Sequence, residues 1–236
     1  MNSKKKENLQ HPFKIGHVLF RVKDLHQAVK KYEDRGYQVL YGSNPKKARN
    51  GMIYFEDGSF LELFNVSSYS FMRKLIYGLA GFLCIFNKTI GGRYMRYAED
   101  TEGWADWALD SEDDFETNLK RLSEREVELS KVKSMKRKNP DNILLRWKLV
   151  FPKKITLPFL MGEYEPKLTY STKHKNGVKG IKEIHLGTKN LEESFNDYCK
   201  FFGTPISDYT FQINKDQVLI LKESDENKLL DVVFKY

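Results

Sequence analysis

The chain has 236 residues, 40 Lys plus Arg against 32 Asp plus Glu, and 14% aromatic residues. That length suffices for a proper core, and sixteen Phe with thirteen Tyr exclude an intrinsically disordered chain. Two cysteines exclude a disulfide framework and a cysteine zinc site, which points to a reduced, cytoplasmic protein.

Residues 1–14 are basic with no apolar run behind them, so they read as a disordered tail and not as a signal peptide. Residues 15–66 open with a β-rich run at 17–22. Asp24 follows as an N-cap, with Gln27 as its capping-box partner. Leu25, Ala28, Val29 and Tyr32 keep helical spacing, and Gly36 ends the helix. Two alternating runs joined at Asp57-Gly58 then predict a hairpin, giving a β-α-β-β-β unit. Residues 67–98 form an apolar insertion. Its uncharged core, 75–86, is twelve residues long where a spanning helix needs roughly 20, so no transmembrane segment is expected. Lid, dimer face, membrane-surface contact (helped by Arg73, Lys74, Lys88 and Arg93) and plain connecting helix remain open for it.

Residues 99–175 repeat the unit with Phe115, Leu119 and Leu122 as the helix face, but without a terminal Gly. Residues 176–236 repeat it again: Asn190 caps, Glu193 completes the box, and Gly203 terminates. The fold class is therefore α+β, with three tandem modules.

Charge is segregated along the chain. Residues 99–128 hold twelve acids and three bases, whereas 131–154 hold nine bases and one acid. The densest basic run, 131–138, lacks interleaved aromatics and reads as a solvated hairpin, so nucleic acid is not a favoured partner.

The runs GHVLFRVKDL, DGSFLELF, WADWAL and PFLMGEY, and HKNGVKGIKEIHL after them, resemble the glyoxalase-like proteins of the vicinal oxygen chelate superfamily. The resemblance implies that the first two modules pair into a U-shaped cup, with the third module extra. It also implies a divalent metal (Zn, Fe, Mn or Ni) bound to vicinal oxygens of a small molecule, in an enzyme such as a lyase, isomerase or dioxygenase. Relatives that only bind a ligand give the alternative: metal-free small-molecule binding or sequestration without catalysis.

The family pattern places metal ligands at His17 and Glu62. In the second module, counting from the helix caps puts Trp107 at the His17 position, and aligning the hairpin arms puts Met161 at the Glu62 position. Neither is a hard-metal ligand. Glu163 is one residue out of phase, and His185 in the third module serves only if that module meets the first. Arg21 shares a strand face with His17 and is the candidate for an anionic group, with Tyr54, Phe60, Trp107 and Met161 lining the cup. Nucleophile, P-loop and dinucleotide motifs are absent. A third module without a mate has an open flank, which suggests a homodimer.

Overall fold

The computed structural model describes residues 12–65 and 88–236, and of 88–90 the backbone alone. The apolar run 75–86, Cys84, Arg73 and Lys74 lie outside the described residues, as does most of the expected N-terminal tail. Phe13 and Lys14, assigned to that tail, instead begin the first strand, with Phe13 buried.

The first unit is β1 (Phe13–Arg21), α1 (Leu25–Asp34), β2 (Leu40–Tyr41), β3 (Asn50–Tyr54) and β4 (Phe60–Phe64). The Asp24 side chain accepts from Gln27 N, as the capping signal requires, and Gly36 supplies the positive φ of +86° that ends the helix. Gly58 at φ +83° turns β3 into β4. The C-terminal part of the insertion is α2 (Lys88–Tyr97).

The second unit is β5 (Gly103–Ser111), α3 (Phe115–Glu124), β6 (Lys133–Lys138), β7 (Leu144–Val150) and β8 (Phe159–Met161). Where a terminal glycine is missing after α3, Glu126 takes φ +60° itself. The basic run 131–138 mostly becomes β6, an edge strand hairpinned to β7. Lysines suit a sheet edge because they discourage pairing with other chains.

The units join through their first strands. β1 runs parallel to β4 and antiparallel to β5, while β5 runs parallel to β8. One eight-stranded sheet results, in the order β2–β3–β4–β1–β5–β8–β7–β6. Its two ends are bridged by Arg137, which donates from Nη1 on β6 to Gly42 O beyond β2 at 2.7 Å. Successive side chains alternate between faces. His17, Leu19, Glu62, Phe159 and Met161 face inward, and Val18, Leu61, Leu63, Trp107, Leu109 and Leu160 face a large outer core.

That outer core is shared with the third unit: β9 (Gly180–Thr188), α4 (Leu191–Phe202), β10 (Thr210–Asn214), β11 (Gln217–Glu223) and β12 (Lys228–Lys235). Asn190 caps α4 by accepting from Glu193 N, and Gly203 ends it at φ +92°. The four strands run β10–β11–β9–β12. β12 therefore crosses to the free side of β9 and pairs antiparallel there, as β5 does beside β1. The flank expected to stand open is filled by the chain's own last strand, which removes the geometric reason for expecting a dimer.

Side chains fix this unit to the cup. Asp57 accepts from Ile181 N at 3.1 Å and from Ser59 N at 2.9 Å, and Gln217 Oε1 accepts from Ile15 N at 2.8 Å. No helix among the described residues is long and apolar enough to cross a membrane.

Candidate functional site

The curl of the sheet leaves a cavity of about 170 Å³ on its inner face. His17 and Leu19 reach it from β1, Glu62 from β4, Trp147 and Leu149 from β7, and Phe159 and Met161 from β8. Phe151 and Tyr164 complete that wall, and α2 closes the site with Arg93, Tyr94 and Tyr97. Two residues read from the sequence as polar groups of the cup, His17 and Glu62, thus stand on one cavity together with Met161.

His17 is 4% exposed. Its ring stacks on Phe60 with centroids 4.4 Å apart and meets the edge of Phe159 at 5.2 Å. Burial lowers its pKa to about 3, against the opposing pull of Asp106, so the imidazole is neutral at pH 7. Its Nδ1 is buried and has no hydrogen-bond partner among the described residues. An unpaired lone pair costs less than an unpaired N–H, so the proton belongs on Nε2, the nitrogen left for a cavity occupant. Glu62 accepts from Asn50 Nδ2 at 2.8 Å. Burial raises its pKa, with Asn50 and Arg137 acting the other way.

The strongest polar feature of the site was not visible in the sequence. Arg93 donates to Asp106 at 2.5 Å and to Leu157 O, and its guanidinium lies 5.6 Å from the Phe151 ring and 5.9 Å from that of Phe159. Both partners of the ion pair are 2% exposed at the side chain. Tyr97 OH adds a bond to Asp106 at 2.6 Å, and Trp107 N adds another at 2.9 Å. Arg93, named from the sequence only as a cation of the membrane-contact reading among those left open, is thus the buried anchor of α2. Tyr164 and Arg137 were missed for the same reason: nothing local marks them. Arg137 lies 5.7 Å from the Tyr164 ring.

The other expected residues fall elsewhere. Trp107 does not face the cup. It pairs with Val18 while Ala108 pairs with His17, so Trp107 points into the outer core at 2% exposure. The cause is a connection one residue shorter: Asp24 lies seven residues beyond His17, but Asp114 lies six beyond Ala108. Counting from the caps therefore slips by one residue, and one residue reverses the face. Arg21 is buried and already engaged, donating to Arg96 O at 2.5 Å, to Thr101 Oγ1 at 2.8 Å and to Glu99 at 3.0 Å. It ties β1 to the segment after α2 and does not line the cavity. Phe60 backs His17. Tyr54 stacks on Tyr170 at 4.1 Å in the neighbouring cluster with Met52 and Met161. Glu163 forms an exposed ion pair with Lys167, and His185 bonds Glu183 at 3.0 Å on the four-stranded sheet of the third unit, away from the cup.

A metal fits this donor set poorly. The parallel pairs His17–Phe60 and Ala108–Phe159 make Ala108 the counterpart of His17, so the second unit offers Ala108 and Met161 where two further ligands are needed. A ligating histidine normally donates its other N–H to an acceptor, and Nδ1 of His17 has none among the described residues. Among the described residues, no three His, Cys, Asp or Glu side chains cluster as metal ligands do.

The family model for the glyoxalase-like domain matches residues 15–201. No curated protein matches the chain. Among solved structures, a hypothetical protein from Staphylococcus aureus aligns with a TM-score of 0.64 at 16% identity, covering 94% of this chain and 90% of that one. The Mn(II)-bound glyoxalase from Novosphingobium aromaticivorans aligns at 0.53 and 11% identity, covering 96% of this chain and 66% of that one. At such identities the likeness is one of fold.

Proposed function

The chain belongs to the glyoxalase-like domain family of the vicinal oxygen chelate superfamily, and from that premise we propose that its cup binds a small, partly apolar, oxygenated molecule without a metal. The observation that carries this is the wall itself. Aromatic and aliphatic side chains surround an inward-facing neutral His17, while the positions opposite it hold Ala108 and Met161. An apolar pocket with a few placed polar groups is what small-molecule sites look like. His17 and Glu62 act separately in this reading. The charged group felt by His17 is Asp106, whereas Glu62 is held by Asn50 and offset by Arg137. They orient a ligand and do not form an acid–base pair.

Ligand-observed NMR with a library of molecules of about ten non-hydrogen atoms or fewer tests the reading, with Kd expected on the order of 0.1–1 mM. Leu149→Trp places an indole in the cavity and should abolish the hits. Hits that survive this substitution, or a screen with none, overturn the proposal.

A further inference from the structure

The cup's dimensions and charges narrow the class of its occupant. A dry cavity of about 150 Å³ accommodates benzene. At about 170 Å³ this one has room for a single six-membered ring bearing one small substituent.

The charges around it are matched. Arg93 is paired with Asp106 at 2.5 Å, and Arg137 offsets Glu62 from the neighbouring wall. His17 is neutral. Burial holds Tyr97 well above its ordinary pKa, with the Asp106 carboxylate adding to the effect, and burial pushes Tyr164 up to about 12, so both hydroxyls keep their protons. Among the described residues, an ionised ligand would surrender its hydration and find no opposite charge that is not already offset. A neutral ligand gives up far less. His17, stacked on Phe60 with Nδ1 closed off, presents one fixed donor, Nε2–H, toward the cavity.

Resting on the reading of the cup as a metal-free small-molecule site, we propose that it selects an uncharged molecule the size of one ring, oriented by an oxygen that accepts a hydrogen bond from His17 Nε2. Carboxylates, phosphates and ammonium ions are refused. The selection is made by offsetting the charges of the described wall, Arg93 against Asp106 and Glu62 against Arg137, so that the group His17 offers the ligand is a neutral donor.

Five probes separate the outcomes at pH 7.5: cyclohexanone, cyclohexanol, toluene, benzoate and the cyclohexylammonium ion, each titrated by NMR into wild type and His17→Phe. Cyclohexanone and cyclohexanol should bind at least tenfold more tightly than benzoate or cyclohexylammonium, and several-fold more tightly than toluene. His17→Phe should erase the preference over toluene while retaining toluene binding, which also shows that the variant is folded. Equal or tighter binding of either ion overturns the inference, as does an unchanged preference in His17→Phe. Toluene binding without any preference for the oxygenated rings overturns it and leaves the cup a small-molecule site. Failure of all five to bind overturns both.

Discussion

The Arg93–Asp106 pair makes α2 a wall of the cavity, and it can be taken apart in steps. Replacing Arg93 by Met keeps the apolar stem against Phe151 and Phe159 but leaves the Asp106 carboxylate uncompensated at 2% exposure. Removing one partner of a buried pair costs about 3–5 kcal/mol. For a chain of this size that lowers the melting temperature by roughly 6–20 °C. The partial relief available is small: Tyr97 OH and Trp107 N still donate to Asp106 but carry no charge. Neutralising both partners, as Arg93→Met with Asp106→Asn, keeps Oδ1 as the acceptor for Trp107 N, lets Nδ2 donate to the Tyr97 hydroxyl, and removes the buried charge. The double variant should recover at least half of the loss. Thermal and urea unfolding of wild type, both single variants and the double variant measure the cycle. If Arg93→Met unfolds within 1 kcal/mol of wild type, or if the double variant is no more stable than Arg93→Met alone, the ion pair is not what holds α2.

Two further expectations concern pH, and one concerns the third unit. Below pH 6.5 the unfolded chain protonates His17 while the folded chain, with a pKa of about 3, does not. Stability should therefore fall as pH drops from 6.5 toward 3, by an amount approaching ~5 kcal/mol, and the difference between wild type and His17→Phe in urea should follow that curve. Asp110 has the opposite sign: burial lifts its pKa to about 7, so the folded state holds a proton between pH 4 and 7 that the unfolded state has lost. The advantage of Asp110→Asn over wild type should grow by roughly 2–4 kcal/mol between pH 4 and 8, and a flat difference would show that the carboxylate is solvated. Asp57→Ala orphans Ile181 N and Ser59 N and should cost about 1–3 kcal/mol, read as a lower urea midpoint; an unchanged midpoint would show that apolar packing alone holds the third unit.

The legible parts of this fold are those set by near neighbours in the chain. Asp24 and Asn190 cap their helices because the group each one satisfies lies three residues on. His17, Glu62 and Met161 could be placed on the inner face because strand alternation is strict. Trp107 shows the limit, since its face depends on a connection one residue shorter than in the first unit. The crossing of β12 to the far side of β9 is a pairing over forty residues or more, and no local signal encodes it. Arg93 illustrates the same point. Its sequence neighbours include glycines, Arg96 and Lys88, all consistent with a surface helix, and its partner Asp106 comes from a strand of the following unit. Composition shows a charge but not whether folding will bury it.

The central claim, a cup that works without metal, is tested most directly by metal content and metal titration of protein prepared without a histidine tag. Elemental mass spectrometry should find Zn, Fe, Mn and Ni far below one equivalent, and calorimetric titration with each ion should show no saturable site, in wild type as in His17→Ala and Glu62→Ala. A near-stoichiometric metal in wild type that disappears in both variants would contradict the account and make the cup a metal centre.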